Sequence, residues 1–506
     1  MLELTSAHAD RYQALERLRA RGTNPYPHAY PGRRLGAVVR DGAAALQPGQ
    51  VLVGPGERVA GRVVGIRRMG RIAFMDLRDR SGVLQVVLDE RALGREAFAI
   101  ALEHQPCDHV GATGHPMRTR SGEPSLRAVE ITMLSKALIA TSEGLRDPET
   151  RQRRREADLI ANPESLEVFL ARARVIVTVR EFMHERGFVE VETPVLQHTV
   201  GGAEARPFTT HHNALNVPMS LRIAPELFLK RCVVGGLERV YEIGKNFRNE
   251  GISTKHNPEF TVIEWYETYA DYDDLMREVE ELVHRVALAA GHPDPGRFTP
   301  PWRCVRLHEE IHALTGIDIL AHPTAAELRS AMDDAGIPTD ASQSWGALVD
   351  FLQAKFVEPT FARPTFLIDH PAAMSPLAKT HREDPRLTER FEAFIDGLEV
   401  ANAFTELNDP VEQRARFLAS ATEGDRAHAL DEDFLEALAR GMPPTAGCGI
   451  GLDRLVMPGS APTSATGARG SRSTDAWWWW NERSRRWRAS RPTTSSNRVS
   501  RQSWHG

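Results

Sequence analysis

The alternation of apolar and polar residues predicts a small β-domain near the start of the chain. Residues 1–50 predict a charged amphipathic helix followed by a connection rich in proline and glycine. The segments RVAGRVVGI, RIAFMDLRD and VLQVVLD then alternate with a period of two, and a helical pattern, RALGREAFAIAL, precedes two further strands, HVGATGHP and LRAVEITMLS. This order within residues 51–140 fits an OB-type barrel, a common binder of single-stranded nucleic acid, and it also fits other small β-barrels.

The pattern changes beyond this domain. Residues 141–164 are charged with few apolar positions, which predicts a hinge. Asn162 then provides an N-cap and Pro163 a first helical residue for a long helix, and Gly187 is placed to end it. A single strand, FVEVETPVL, is predicted to follow and to end near Pro194.

A polar hairpin is predicted around the segment FRNEGISTKHNPEF. The flanking segments ERVYEIGKNFRNE and EFTVIEWYET alternate, so Phe260, Glu264 and Tyr266 share one face of the second strand. Arg248 beside a cleft suits an anionic phosphate, because the planar guanidinium can donate two parallel hydrogen bonds. A surface ion pair between Arg248 and Glu250 is the alternative interpretation of the same residues.

A second hairpin is predicted in RFEAFIDGLEVANAFTEL, where Asp396 and Gly397 form a strong two-residue turn. That turn places Glu392 and Glu399 on one face, where two carboxylates could hold Mg²⁺ together with substrate phosphates. A solvated acidic face on an edge hairpin is the alternative. Strict alternation places three more residues on the face opposite Glu399: Asn402, Phe404 and Glu406. A cleft lined by all five side chains therefore requires a β-bulge near Ala401.

A third element is the segment TAGCGIGLDRLVM. Gly447, Gly449 and Gly451 recur with a period of two and remove the side chains from one face of a strand. Such a face suits either a flat ligand lying against the backbone or a close strand–helix crossing. Arg454 follows where a helix begins.

Composition restricts the class of protein without identifying it. The 506 residues are 41% hydrophobic and 26% charged, as in water-soluble globular proteins, and they suffice for two or three domains. A net charge of −5 means that any nucleic-acid contact must come from local patches. The four cysteines are scattered without a CxxC pair, which argues against a disulfide framework or a zinc site. There is no signal-peptide pattern and no long apolar run, so we expect a cytoplasmic protein with no membrane span.

Together these segments resemble the three signature motifs of class II aminoacyl-tRNA synthetases, and most closely those of the bacterial-type, lysine-specific members. LARARVIVTVREFMHERGFVEVETPVL resembles the first motif, FRNE…HNPEF the second and GCGIGLDR the third. The stretches GGAEARPF, LRIAPELFLKR and ADYDDLM are similar to the same family, and the order holds from about residue 57 to Met457. Class I signatures and the phosphate-binding loop GxxxxGK(S/T) are absent.

The resemblance implies an α+β fold with an OB-fold anticodon-binding domain at 51–140 and a catalytic domain at 165–457, built on an antiparallel β-sheet flanked by helices. It also implies a homodimer formed through the first motif. The implied activity is that of a lysine–tRNA ligase, in which L-lysine and ATP form lysyl-adenylate and pyrophosphate, and lysine then passes to the 3′ end of tRNA(Lys). Mg²⁺ is the implied cofactor.

The resemblance also assigns roles to individual residues. Arg248 and Arg454 are the implied catalytic residues: Arg248 bridges the α-phosphate and the amino-acid carboxylate, and Arg454 covers one face of adenine while Phe260 stacks on the other. Glu250 meets the adenine amino group and His256 the terminal phosphates. The implied ATP-binding set is Arg248, Glu250, His256, Asn257, Phe260, Glu399, Gly451 and Arg454. The implied metal ligands are Glu392 and Glu399.

The lysine specificity depends on a second set of residues. The resemblance places the following side chains or backbone groups around the amino acid: Gly202, Glu226, Arg248, Glu264, Tyr266, Asn402, Phe404 and Glu406. Three carboxylates around one small substrate fit two amino groups and repel an acidic side chain. Relatives specific for aspartate and asparagine carry Ser-Pro-Gln where this chain has Ala224, Pro225 and Glu226. The implied anticodon-binding residues, which would stack on and hydrogen-bond to splayed bases, are Arg67, Arg68, Phe74 and Gln85.

Two rival functions remain open at this point. One is an enzyme of the same fold that transfers lysine to a protein or a lipid. Protein-modifying relatives lack the barrel and lipid-linked ones need membrane spans, whereas this chain has the barrel pattern and no span. The other is a tRNA-binding protein whose catalysis is impaired by an altered C-terminus.

That C-terminus departs from the family pattern. Residues 458–506 contain six of the nine tryptophans and many arginines, serines and threonines, which predicts a disordered tail. A natural RNA-binding extension is one interpretation. We favour a shifted reading frame beginning near Pro458, because the third-motif helix is then lost within a turn of Arg454. The expected consequences are a poorly held Arg454, aggregation and weak activity.

Overall fold

The computed structural model divides the chain after Leu145 into two units, which we describe separately. It describes residues 8–141, 144–203, 205–251, 256–422 and 431–459, and for residues 152, 420–422 and 457–459 it describes the backbone alone. The predicted tail lies outside the described residues beyond residue 459. Within the described residues, no helix is long and apolar enough to cross a membrane.

Five strands close into a barrel in the first unit, in the order β1-β2-β3-β5-β4. The strands are β1 (Glu57–Met69), β2 (Ile72–Asp79), β3 (Gly82–Asp89), β4 (His109–Arg118) and β5 (Pro124–Ser135). Alternate residues such as Val63, Met75 and Val86 point inward and form the core. This arrangement confirms the predicted OB-type barrel.

The helices of the first unit differ from the prediction in two respects. They are α1 (Ala9–Ala20), α2 (Gly36–Ala44), α3 (Glu90–Leu93) and α4 (Arg95–Ala101). The helix α2 was not predicted, and its Val39 packs into the barrel core. The helical pattern between β3 and β4 is two short helices, because Gly94 adopts a φ of 85° that interrupts the helix.

The second unit is built on an eight-stranded sheet with the order β12-β13-β14-β15-β16-β11-β10-β6 and a small three-stranded sheet with the order β7-β9-β8. Its first six strands are β6 (Val189–Glu190), β7 (Leu196–Gln197), β8 (Thr209–His212), β9 (Val217–Leu221), β10 (Arg239–Phe247) and β11 (Glu259–Thr268). The others are β12 (Arg303–Arg306), β13 (Thr365–Pro371), β14 (Leu387–Ile395), β15 (Leu398–Thr405) and β16 (Thr445–Gly451). The large sheet is antiparallel except for the pairings β6–β10 and β12–β13.

Helices accompany this sheet along the chain. They are α5 (Pro148–Arg153), α6 (Arg155–Ala161), α7 (Pro163–Glu185), α8 (Glu226–Val234), α9 (Tyr272–Ala290), α10 (Leu307–Thr315), α11 (Ala325–Asp334), α12 (Trp345–Leu352), α13 (Pro410–Thr422), α14 (Glu432–Ala439) and α15 (Leu452–Gly459). A π-helical turn covers Gln353–Val357, and short 3-10 turns cover Pro295–Phe298, Glu358–Thr360 and Ala372–Met374. The main core packs α7, α9 and α15 on one face of the large sheet. The opposite face of the large sheet carries the candidate site.

Local signals placed several boundaries as the sequence predicted. The helix α7 has Pro163 at its start, and Gly187 follows its end with a φ of 76°. The segment predicted as a hinge, 141–164, contains α5 and α6. The predicted single strand over FVEVETPVL was wrong: it forms β6 and β7, which belong to different sheets. Pro194 lies between them and lacks the N–H that would continue a ladder.

The second hairpin confirms both its predicted turn and its predicted bulge. Ile395 pairs with Leu398 across the turn. The register shifts between Ala393 and Phe394, so that Val400, next to Ala401, has no partner on β14. This extra residue brings Glu399 onto the same face of β15 as Asn402 and Phe404.

Candidate active site

The candidate site lies on the sheet face opposite the main core, where β15, β16 and β11 run side by side. In one cross-strand row, Gly449 lies between Glu264 and Asn402. The next row has the same arrangement of a central glycine and two flanking side chains: Tyr266, Gly447 and Phe404. Alternation sends the intervening residues of the same strands, such as Ile263 and Cys448, into the core.

The glycines of β16 make room for the side chains of the site. A Cβ at Gly447 would collide with Glu406 Oε1 and with the Tyr266 ring. A Cβ at Gly449 would lie 3.3 Å from Glu264 Cγ. The glycine face of β16 therefore forms the floor of an acidic pocket. Side chains, and not a crossing helix, occupy the space above this face.

Three carboxylates converge on this pocket from three elements. Glu264 stands on β11, Glu406 follows β15, and Glu226 begins α8. Burial, and then the charge of Glu226, raise the pKa of Glu264 to about 8 in spite of the nearby Arg248. Burial also raises the pKa of Glu406, and Glu226 and Glu264 add to this effect while Lys230 opposes it. Burial and mutual repulsion therefore disfavour the ionised forms of Glu264 and Glu406.

A tyrosine and a glycine complete the walls of the pocket. The Tyr266 hydroxyl donates to Glu264 Oε2 at 3.5 Å. Burial and the surrounding carboxylates raise the pKa of Tyr266 well above its usual value, so the hydroxyl remains a donor. Gly202 adopts a φ of 88°, and a Cβ there would lie 2.9 Å from the Cβ of Glu226. Only glycine fits this contact without strain.

One charged residue in the pocket was missed by the sequence reasoning. Lys230 stands one turn after Glu226 on α8 and is completely buried. Its Nζ donates to Glu226 Oε1 at 2.7 Å and forms an ion pair with Glu406. Spacing of four residues on a helix was a signal for the first contact, but such pairs usually lie on the surface.

The hairpin of β10 and β11 places Arg248 at the edge of the same face. The Arg248 guanidinium lies 5.1 Å from the centroid of the Phe260 ring. Burial lowers the pKa of Arg248, although Glu399, Glu264 and Glu250 oppose that effect. Its Nε has no hydrogen-bond partner among the described residues. A half-buried guanidinium whose buried Nε is an unused donor suits an anionic ligand.

The tip of this hairpin is only partly described. Residues 252–255 lie outside the described residues. Glu250 and His256, on either side of this gap, are exposed, and Asn257 is half-buried. Arg248 and Glu250 are both described and do not form an ion pair within the described set, which disfavours the surface-pair interpretation.

Arg454 is fixed at the start of α15. Its Nη1 donates to the backbone oxygen and to Oε2 of Glu399, both at 2.8 Å. The helix α15 continues through Pro458 to Gly459, and Leu455 and Val456 are buried in the core. The expectation of a poorly held Arg454 was therefore wrong for the described part of the chain.

The two candidate metal ligands have different surroundings. Glu392 receives hydrogen bonds from Arg390 Nη2 at 2.7 Å and Gln353 Nε2 at 2.9 Å. Burial opposes ionisation of Glu392, but His370 and Arg390 lower its pKa well below the usual value. Within the described residues, no group of three or more His, Cys, Asp or Glu side chains could hold a metal. Carboxylates suit Mg²⁺, but Glu392 must exchange one of its present partners to bind it. The Glu399 carboxylate pairs with Arg454 alone among the side chains that the structure describes.

An ion-pair network joins α7, β11 and α15, which carry parts of the three motif-like segments. Arg172 on α7 forms an ion pair with Asp453 on α15 at 2.7 Å. Asp453 Oδ2 also accepts the backbone N–H of Thr261 on β11 at 3.0 Å. Arg172 Nη2 donates to Thr261 Oγ1 at 3.1 Å. These contacts hold α7, β11 and α15, which bears Arg454, in a fixed arrangement.

Comparison with known proteins agrees with this arrangement. The model of the family described as tRNA synthetases class II (D, K and N) matches residues 147–460. The chain belongs to this class II tRNA synthetase family. The model described as OB-fold nucleic acid binding domain matches residues 57–134.

Several curated class II synthetases are similar to this chain over most of their length, and each is named lysine–tRNA ligase. One from Dehalococcoides mccartyi (strain CBDB1) is 48% identical over 465 residues, covering 89% of this chain and 93% of the relative. One from Thermotoga maritima is 46% identical over 462 residues, covering 88% and 91%. One from Roseiflexus sp. (strain RS-1) is 46% identical over 475 residues, covering 90% and 96%.

The barrel of this class II synthetase brings three of its four candidate anticodon residues onto one outer face. Arg67 pairs with Phe74 across β1 and β2, and Gln85 lies in the next row on β3, opposite Asp76. Arg67 also forms an ion pair with Asp76 at 3.1 Å. Arg68 alternates to the other side of β1, and its Nε donates to the backbone oxygen of Gly70 at 3.1 Å.

Proposed function

We propose that this class II synthetase is a lysine–tRNA ligase. It activates L-lysine with ATP to form lysyl-adenylate and pyrophosphate, and it transfers lysine to the 3′ end of tRNA(Lys). The observation that carries the proposal is the pocket of three carboxylates beside the half-buried cation Arg248. Glu226 and Glu406 are buried, and Glu264 is half-buried. The names of the similar proteins support the same substrate.

Charge complementarity selects lysine within a family whose description includes D, K and N. An aspartate side chain would add a negative charge to a pocket that already raises the pKa of Glu264 and Glu406. An asparagine side chain would leave one carboxylate of the pocket without a cation. The α-ammonium and ε-ammonium of lysine supply two positive charges, and Phe404 and Tyr266 offer apolar surface to the methylenes between them.

The ATP side of the site is supplied by the hairpin and by α15. Arg248 is close to Phe260 and to Glu264 of the acidic pocket, which supports a role in which its guanidinium would contact both the lysine carboxylate and the α-phosphate. Phe260 and Arg454 would hold adenine between an aromatic ring and a guanidinium. Gly451 would leave the backbone open beneath it, and Glu250, His256 and Asn257 would contact adenine and the terminal phosphates.

The chemistry requires positioning and charge stabilisation more than acid–base catalysis. The lysine carboxylate is ionised near neutral pH and attacks the α-phosphorus directly, with pyrophosphate leaving. Arg248 stabilises the charge on the equatorial phosphate oxygens while it orients the nucleophile. Mg²⁺ held by Glu399 and Glu392 together with the phosphates would supply further positive charge beside the leaving group. In the second step the terminal ribose hydroxyl of tRNA attacks the carbonyl of lysyl-adenylate and AMP leaves.

We propose that the outer face of the barrel binds the anticodon. Phe74 is a half-buried aromatic on that face, with Gln85 in an adjacent row and Arg67 beside it. Stacking on an aromatic ring and hydrogen bonds to base edges are the means by which proteins distinguish splayed bases. The ion pair between Arg67 and Asp76 keeps the guanidinium over this patch.

We also propose that the enzyme is a cytoplasmic homodimer assembled through α7. Leu166, Leu170 and Val177 recur on one face of this helix and are 42%, 43% and 54% exposed. The opposite face of α7 is buried in the core. A second copy would cover this apolar stripe. Sedimentation equilibrium should give twice the chain mass, and an Asp substitution at Val177 should shift the equilibrium toward the monomer.

Charging of tRNA tests the proposal. Purified enzyme should attach radiolabelled lysine to unfractionated tRNA and should leave aspartate and asparagine unattached. An Arg248→Ala variant should lose the activity. Arg440→Ala should keep it, because Arg440 directly follows α14, has an exposed side chain and pairs only with the exposed Glu436 among the described residues. Attachment of aspartate or asparagine would overturn the substrate, and transfer of lysine only to protein would overturn the acceptor.

A further inference from the structure

Lys230 is a charged residue of the pocket that has no role in the reaction proposed above. Its side chain is completely buried, and its Nζ lies between two of the three carboxylates. It donates to Glu226 Oε1 at 2.7 Å, contacts Glu406 Oε2, and lies 5.4 Å from the centroid of the Phe404 ring. All three neighbours belong to the set that surrounds the amino acid in the proposed function.

A purely structural ion pair does not account for this arrangement. One ammonium faces two carboxylates, and a third carboxylate, Glu264, is close enough to raise the pKa of Glu406. Glu406 Oε1 has no hydrogen-bond partner among the described residues. Buried ion pairs contribute little net stability, because desolvation offsets their attraction. A fold that needed only packing here would be served as well by an apolar side chain.

The charges of the pocket can be counted from these residues. In their ionised forms the three carboxylates carry three negative charges, and the Lys230 ammonium offsets one of them. Two negative charges remain, and they equal the two ammonium charges of lysine. Arg248 lies at the other end of the pocket, where the lysine carboxylate can neutralise it.

We propose that Lys230 is a specificity-determining residue, a built-in counter-ion that sets the charge of the pocket to match a dicationic amino acid. The proposal rests on lysine binding as proposed above and deepens it. An amino acid with a neutral side chain would leave one buried carboxylate without a partner, which is costly in a low-dielectric site. Lys230 also fixes Glu226 and Glu406 in position before the substrate arrives, because both contact the same Nζ.

The sharpest test uses two substitutions at this position. Lys230→Met removes the charge with nearly the same side-chain length. It should raise the KM for lysine by about tenfold or more, because the carboxylates then take up a proton or move apart, while the KM for ATP changes by less than about twofold. Lys230→Ala leaves a space that matches propylammonium. Lysine-dependent pyrophosphate exchange by this variant should recover on addition of propylammonium, and 1-propanol of similar shape should not restore it.

Two controls separate this role from folding and from the proposed function. Lys136 is a buried lysine paired with Asp108 in the barrel unit, so Lys136→Met should leave the KM for lysine unchanged. Lysine-dependent exchange by the unaltered enzyme must be seen first, and its absence would overturn the proposed function before any Lys230 variant is measured. If Lys230→Ala does not fold, Lys230→Met decides alone. An unchanged lysine KM in Lys230→Met, equal effects on both substrates, or equal rescue by 1-propanol would overturn the counter-ion role.

Discussion

Replacing Glu406 with glutamine removes one negative charge from the pocket and keeps the shape of the side chain. Glu406 is 1% exposed, so solvent does not screen its contact with a bound ammonium group. A hydrogen bond to a charged partner contributes about 1.5–3 kcal/mol in such a site. The kcat/KM for lysine should therefore fall by roughly 10- to 100-fold. Lys230 keeps its hydrogen bond to Glu226, so the variant should remain folded.

Lysine-dependent pyrophosphate exchange measures this effect, with lysine and ATP varied separately. The loss should appear with lysine as the varied substrate, while the KM for ATP stays near its original value. Glu436→Gln is a matched control, because Glu436 lies on α14 with a 70% exposed side chain. An unchanged kcat/KM for lysine in Glu406→Gln would refute the pocket assignment.

Four further predictions concern other parts of the molecule. Phe74→Ala and Gln85→Ala should weaken tRNA charging by about 1–3 kcal/mol and spare pyrophosphate exchange, and a parallel loss of both reactions would give the barrel a folding role instead. The pKa of Glu264 is raised to about 8, and lysine binds its ionised form, so the KM for lysine should rise about tenfold per unit as pH falls from 8. A flat pH profile between 6 and 8 would contradict that assignment. Gly447→Ala should abolish lysine activation without preventing folding of the barrel, because the added Cβ collides with Glu406 and Tyr266. Near-normal activity of this variant would show that the pocket has room for a side chain at position 447. Replacement of residues 458–506 by a family-like ending should reduce aggregation and increase charging. Resequencing of the coding region tests the shifted reading frame, and robust lysine activation by a chain whose mass includes the tryptophan-rich tail would refute the expected weak activity.

Features that depend on local chemistry could be predicted from the sequence. Asp396 and Gly397 favour a two-residue turn wherever they occur between alternating segments, and the structure has this turn. The bulge beside Ala401 was deduced because strict alternation could not place Glu399 and Asn402 in one cleft. Its position in the structure follows from the same constraint.

Features that depend on tertiary neighbours could not be predicted in this way. Glu226 and Lys230 have the spacing of an ordinary surface pair on a helix, and only the packing of α8 against Glu406 makes them a buried cluster. The partners of Glu392 come from Arg390 on its own strand and from Gln353 near α12. The division of one apolar stretch into β6 and β7 depends on which sheet each half pairs with. The local alternation of apolar and polar residues does not contain this information.

The most direct test of this account is pyrophosphate exchange measured with each proteinogenic amino acid in turn. The account predicts that lysine alone supports exchange well above background. Only an amino acid with a cationic side chain in addition to its α-ammonium matches the charges of Glu226, Glu264, Glu406 and Lys230. Arginine is also dicationic, and its longer, planar head should exclude it by shape. Exchange that depends on aspartate, asparagine or a neutral amino acid, or no exchange with lysine, would contradict the account.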